Sequence, residues 1–149
     1  MRTILLDASP LGLLCGPFKE GLSEKCHLWL AGLVGRGYRV LIPEITDYEV
    51  RRELIRAEFT QSIEWLDDLQ NYLEYLPLST AAMRRAAELW ADARQTGRPT
   101  AGDQSIDADA ILAGQALALD EPDYVIATTN LGHLERYAAA ATWGSITRF

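Results

Sequence analysis

Apolar residues fall along this chain in two patterns: short unbroken runs, and longer stretches where they recur every three or four positions. Residues 2–6 are an unbroken run ending at Asp7, which predicts a strand buried on both faces, as in a parallel sheet. Ser9-Pro10 opens a short helix with Ser9 as cap and Pro10 at its first position, and Gly16-Pro17 stops it. Residues 23–37 predict an amphipathic helix with Cys26, Trp29, Leu30 and Leu33 on one face. Residues 39–42 form a second short strand, closed by Pro43. Residues 44–58 predict a charged helix whose Ile45, Tyr48, Arg52 and Ile55 share a face with Glu49 beside it. Residues 60–72 give another, with Ile63, Leu66, Leu69 and Leu73 apolar, and the two read as a helical hairpin arm.

A brief strand at 75–78 carries an internal proline, Pro77, and belongs near a sheet edge. The clearest helix spans 79–96, with Ala82, Ala86, Leu89, Trp90 and Ala93 periodic and Gly97 as its stop. A polar loop at 98–104 leads to Ser105-Ile106-Asp107-Ala108-Asp109. There Ile111, Leu112, Gln115 and Ala116 recur at helical spacing, so Asp107 and Asp109 are expected at a helix start. Residues 124–127 read as a strand followed by Thr128-Thr129-Asn130. Residues 131–137 read as a short helix, and residues 142–149 supply a last strand. Strands alternating with helices predict a three-layer α/β fold with a mainly parallel sheet, in one domain spanning 1–149.

Composition narrows the class. The chain has 149 residues, of which 48% are hydrophobic and 23% charged, and no segment nears the roughly 20 apolar residues needed to cross a bilayer. The run before Asp7 is too short for a signal peptide, so a cytoplasmic location is expected. Cys15 and Cys26 lack CxxC partners and read as buried reduced thiols. A net charge of −7 argues against a protein that coats nucleic acid, but not against one acting on it through bound cations.

The candidate chemistry lies where strands end. Asp7 and Ser9 follow the first strand and Thr128 and Asn130 the last long one, and in a parallel sheet these ends share one crevice. Glu49, one turn inside its helix, and Asp109 can face the same crevice. Asp107 is either a fourth ligand or a helix cap. Several carboxylates at one point need a cation to stay ionised together, and their number suits Mg²⁺ or Mn²⁺. Each residue also has an ordinary reading. Glu49 fits a surface helix, Asp7 and Ser9 fit helix caps, and Thr128 and Asn130 fit turns. Arg51, Arg52 and Arg56 form a basic patch near Glu49, suited to RNA phosphates, to an acidic partner or simply to solvent.

At these residues the sequence resembles the PIN-domain family, and within it the VapC-like toxin ribonucleases. The matching segments are Leu5-Leu6-Asp7-Ala8-Ser9, Ile45-Thr46-Asp47-Tyr48-Glu49-Val50-Arg51-Arg52, Asp109-Ala110-Ile111-Leu112-Ala113 and Thr128-Thr129-Asn130, in that order. The resemblance implies an α/β/α sandwich, Mg²⁺- or Mn²⁺-dependent hydrolysis of RNA phosphodiesters, an antitoxin partner and a homodimer. It places Asp7, Glu49 and Asp109 as the acidic ligands and Ser9, Thr128 and Asn130 as polar support. Many members carry another aspartate three residues after the asparagine, and here that position is His133. His133 then acts as a softer ligand, moves a proton, or only starts a helix. The departure keeps open a catalytically weakened PIN-like module that works by binding protein or RNA. An aspartate-nucleophile phosphatase fits poorly, because the only lysines are the early Lys19 and Lys25.

Overall fold

A computed structural model describes residues 2–16, 21–96, 103–132 and 134–147, and for 103–106 and 147 the backbone alone. Pro17, Gly97, loop residues 98–102 and His133 therefore lie outside the described residues.

Five strands form one sheet: β1 (Thr3–Leu6), β2 (Arg39–Pro43), β3 (Glu74–Leu76), β4 (Tyr124–Thr128) and β5 (Ala140–Thr142). Their order is β3-β2-β1-β4-β5, and every pairing is parallel. In β1 the strand alternation sends Ile4 and Leu6 to one face and Leu5 to the other. The register sets Ile4 beside Val40 and Val125, and Leu5 beside Leu41 and Ile126, so each face continues across the central strands. All four residues of β1 are buried, which is why its sequence shows no alternation.

Helices cover both faces. The Ile4 face packs under α1 (Ala8–Cys15), α2 (Leu22–Gly35), α3 (Glu44–Arg56) and α4 (Thr60–Leu69), sharing one core with Leu11, Leu33, Val50, Leu54 and Leu66. The Leu5 face packs under α6 (Asp103–Ala118) through Ala108, Leu112 and Ala116. Helix α5 (Thr80–Gln95) lies against α6. A Cβ on Gly114 would meet the Ala82 carbonyl oxygen and lie 3.2 Å from the Ala86 Cβ, so only glycine permits this helix approach. The result is the expected α/β/α sandwich, with a sheet that is wholly parallel.

Several local expectations change. Ser9 does not cap α1. Asp7 does, because its backbone stays extended (ψ 171°) and its Oδ1 accepts the Ala8 N–H at 2.7 Å. Helix α3 follows β2 without a loop, so the strand sets its orientation. Its buried residues are Ile45, Thr46, Asp47, Val50 and Leu54, while Tyr48, Arg52 and Ile55 are exposed. Helix α4 is no projecting arm, since Leu66 is fully buried in the shared core. Helix α6 starts at Asp103, which places Asp107 and Asp109 inside the helix and rules out a capping role for Asp107. Residues 134–136 form a single 3₁₀ turn instead of a longer helix. The last strand ends at Thr142, followed by a 3₁₀ segment, Trp143–Thr147. Cys15 and Cys26 are free and buried, and burial pushes both thiols up to about 12.

Two polar devices fix the region between α3 and its neighbours. Pro43 offers α3 no capping side chain. Instead the buried Gln115 of α6 accepts the Ile45 N–H through Oε1 (3.2 Å), and its Nε2 donates to the carbonyls of Leu76 (2.9 Å) and Pro77 (3.3 Å). Asp47, also buried, accepts from the Tyr75 hydroxyl at 3.0 Å and from Arg51 Nη2 at 3.0 Å.

Candidate active site

From β1 the chain steps outward to β2 and β3, then returns to place β4 on the other side of β1, so the sheet's topological switch lies between β1 and β4. In open parallel sheets the crevice beyond the carboxyl ends of such strands is where ligands bind. Asp7 stands there. Its N–H donates to the Ala127 carbonyl (2.9 Å), continuing the ladder by one residue, while its carboxylate leaves the sheet. Oδ1 is held by the Ala8 N–H, and Oδ2 accepts from the buried Thr128 hydroxyl at 2.7 Å. Both oxygens are thus aimed by groups at the ends of the two central strands.

The β4 end is tied in the same way. The Thr128 hydroxyl accepts the Asn130 N–H at 3.3 Å, and Ser9 Oγ accepts the Thr129 N–H at 3.0 Å, linking α1 to the turn. Asn130 turns its own Oδ1 to the Gly132 N–H (3.1 Å), where Gly132 has a positive φ of 24°. Ser9, Thr128 and Asn130 therefore act as a brace around Asp7, with Thr128 the member that touches it.

Glu49 and Asp109 are half-buried and complete the acidic crevice. Burial first, then the charges of Asp7 and Asp109, push the Glu49 carboxyl up to about 7, with Arg52 pulling the other way. Burial also pushes Asp109 up to about 6, again with Asp7 raising it. Three acids from separated chain segments thus feel one another's charge. Among the described residues, no three His, Cys, Asp or Glu side chains stand close enough together to hold an ion. The donors are all hard carboxylate oxygens and their repulsion is poorly compensated, so their chemistry fits a hard divalent cation while their spacing is open.

The other expected residues lie elsewhere or are already engaged. Asp107 is exposed on α6 and lines the groove against α5; with Asp109, its charge also acts on Tyr137. Arg51 bridges Asp47 and Asp67 (3.0 and 2.8 Å), tying α3 to α4. Arg52 lies 5.1 Å over the Tyr48 ring and remains exposed near Glu49. His133 is outside the described residues. A cleft of about 360 Å³ opens beside Glu49, lined by Ser9, Gly12, Gly16 and Glu53 among others. Tyr137 was not expected from sequence. Its hydroxyl is buried with no hydrogen-bond partner among the described residues, and burial followed by the charge of Asp109 raises its pKa. Nothing local marks it, because it reaches the site only through the 3₁₀ turn that precedes it.

Raised carboxyl pKa values fix a sign. Below its unfolded value of 4.5 the Glu49 carboxyl is neutral in both states, and its contribution to stability is lost as pH rises through about 7. Asp109 acts alike between 3.8 and about 6. In EDTA, Glu49→Gln is therefore expected to melt at least about 2–4 °C above wild type at pH 8, corresponding to about 1 kcal/mol, with the gap closing at pH 4.5. Equal gaps at both pH values would show that Glu49 carries no strained charge.

No protein-family model matches the sequence, and no curated protein does. Solved structures do resemble it. The VapBC2 complex from Rickettsia felis, bound to a DNA fragment from its promoter, gives a TM-score of 0.71 at 18% identity over 95% of this chain and 98% of that one. DNA-bound VapBC from Salmonella typhimurium gives 0.65 at 22% identity, over 96% and 99%. FitAcB from Neisseria gonorrhoeae gives 0.64 at 20%, over 95% and 98%. The fold is thus the VapC-like PIN fold along nearly the whole chain.

Proposed function

We propose that this chain is a Mg²⁺- or Mn²⁺-dependent endoribonuclease that hydrolyses RNA phosphodiester bonds, and that it is the toxin of a toxin–antitoxin pair. The observation that carries the reading is the set of three mutually repelling carboxylates, Asp7, Glu49 and Asp109, at the switch point of a parallel sheet. Asp7, Glu49 and Asp109 would hold the ion. A bound divalent cation supplies charge neutralisation at the scissile phosphate and lowers the pKa of water. Thr128 and the Ala8 N–H keep both Asp7 oxygens pointed into the crevice, and Ser9 fixes the turn that carries Asn130. Arg52, exposed beside Glu49, is placed to meet a substrate phosphate, whereas Arg51 serves α3 and α4 through its two ion pairs. His133 fills the position where an acid is common in the resembled family.

The likeness to VapBC complexes supports a partner protein of the antitoxin kind, while RNA as substrate follows from the family resemblance of the sequence motifs. No helix among the described residues is long and apolar enough to cross a membrane. The test is cleavage of a mixed single-stranded RNA pool by purified protein. Products are expected with Mn²⁺ or Mg²⁺ and none in excess EDTA, and cleavage that persists in EDTA would reject the mechanism.

A second reading, a PIN-like module without activity that binds protein or RNA, is favoured by the open spacing of the acids. Calorimetric titration with Mn²⁺ separates the two, since the module shows no heat of binding.

We also infer a homodimer. Residues 44–72 leave Tyr48, Ile55, Phe59, Trp65 and Tyr72 exposed, more apolar surface than this segment's own packing covers. Light scattering at tens of micromolar is expected to give twice the chain mass, and a monomer mass would count against it.

A further inference from the structure

Helix α3 carries Glu49 and, one turn earlier, a second polar side chain that meets no solvent. Thr46 is 0% exposed, and its buried hydroxyl has no hydrogen-bond partner among the described residues. A threonine inside a helix can return its hydroxyl to a carbonyl three or four positions back, here Pro43 or Ile42, and Thr46 does not. A buried donor left unmatched is a cost to the fold, so its place in the molecule calls for a reason.

That place is beside the acidic crevice. Ile45 packs on the Leu5 face of the sheet and Val50 on the Ile4 face. Each residue turns the helix by about 100°, so with Ile45 at zero and Val50 at about 140°, Glu49 and Thr46 lie between them at about 40° and about 100°. Both therefore project between the two cores, over the carboxyl edge of the sheet. Thr46 is the nearer to the strand ends. The β1–β2 register pairs Leu5 with Leu41, and carried two residues on it sets Asp7 level with Pro43, the residue before α3.

The carboxylates of the crevice differ in what holds them. Asp7 has both oxygens occupied, one by the Ala8 N–H and one by the Thr128 hydroxyl. Glu49 receives no hydrogen bond among the described residues, and what acts on it is burial and the charges of Asp7, Asp109 and Arg52. Helical side chains lean toward the N-terminus, which brings position 49 back over positions 45 and 46. A donor without an acceptor and an acceptor without a donor thus stand one turn apart. We propose that Thr46 is a positioning residue of the acidic crevice, whose hydroxyl donates to the ionised Glu49 carboxylate and keeps it turned toward Asp7 for a divalent cation. Repulsion from Asp7 and Asp109 opposes that inward turn unless a cation offsets it. The role of the cation rests on the ribonuclease reading.

The experiment compares Thr46→Val, which swaps the hydroxyl for a methyl, with Thr46→Ser, which keeps the hydroxyl and removes the methyl. Mn²⁺ affinity is read by calorimetry and melting temperature in EDTA, on the same preparations. Thr46→Val is expected to bind Mn²⁺ about tenfold more weakly than wild type, and Thr46→Ser within about threefold of it. Stability should run in the opposite order. Thr46→Val should melt at or above wild type because the unmatched hydroxyl is gone, and Thr46→Ser below it because a buried methyl is lost. A packing role moves affinity and stability together, so the crossed orders identify the hydroxyl. Thr46→Val binding Mn²⁺ within about twofold of wild type, or Thr46→Ser weakened as much as Thr46→Val, would overturn the proposal. So would a lower melting temperature for Thr46→Val in EDTA, since the hydroxyl would then be engaged without the ion. Crossed orders in a protein that never cleaves RNA support the role of Thr46 while rejecting the nuclease. Wild-type cleavage with Mn²⁺ affinity unchanged in Thr46→Val rejects the role of Thr46 alone. A wild type that takes up no Mn²⁺ rejects both.

Discussion

Asp7→Asn is expected to lower metal-dependent RNA cleavage more than about 100-fold while the protein stays folded. Residues that merely support metal ligands already cost about 10- to 100-fold when removed, and Asp7 is placed as a ligand itself. Asparagine has nearly the same shape. Its Oδ1 can still accept the Ala8 N–H, and its Nδ2 can donate to the Thr128 hydroxyl, so the brace around position 7 survives with one bond reversed. What is lost is the negative charge. The same loss relieves Glu49 and Asp109, whose carboxyls Asp7 raises, so the metal-free variant should melt at or above wild type at pH 7 to 8. Cleavage with Mn²⁺ and thermal melts in EDTA, run on the same preparations, check both halves. Wild-type cleavage rates in Asp7→Asn would remove the residue from the mechanism. Lost activity together with a lowered melting temperature would show only that the fold had failed.

Gln115→Leu should be the most destabilising single change among those considered, at about 3 kcal/mol, or roughly 6–12 °C in melting temperature. The side chain is 2% exposed, and its three partners are the Ile45 N–H and the Leu76 and Pro77 carbonyls. Leucine fills a similar volume but leaves those backbone groups without a partner, at the start of the helix that carries Glu49. Activity should therefore fall along with stability. Gln115→Glu gives the sharper test. A carboxylate can accept from Ile45 but turns an oxygen toward two carbonyls, so this variant should be least stable at neutral pH and recover as acid protonates it. A melting temperature within about 2 °C of wild type for Gln115→Leu would mean that water replaces the amide without penalty.

Sequence alone determined the strands that are buried on both sides. The short, mostly apolar runs at 2–6, 39–42 and 124–127 read as buried strands, and the strands form at 3–6, 39–43 and 124–128, so the strand ends pointed to Asp7 and Thr128. Alanine periodicity did the same for α5, and the structure adds its cap, the Ser79 Oγ accepting the Ala82 N–H at 3.0 Å. These are local signals, carried by residues within one or two turns of each other.

Tertiary structure decided what local pattern could not. The exposed side of α3 followed from its loop-free junction with β2, which turned Asp47 inward and Tyr48 outward against their hydropathy. Asp107 and Asp109 read alike as neighbours at a helix start. Helix α6 begins earlier, and a two-residue step turns a helix by about 200°, so one faces the α5 groove and the other the acidic crevice. Gln115 looked like one more position in an apolar repeat, and its role as the cap of α3 depends on partners 38 to 70 residues away. Capping, burial periodicity and strand length are written in contiguous residues. Which faces meet, and which polar groups find partners across the sheet, is set only when the layers pack.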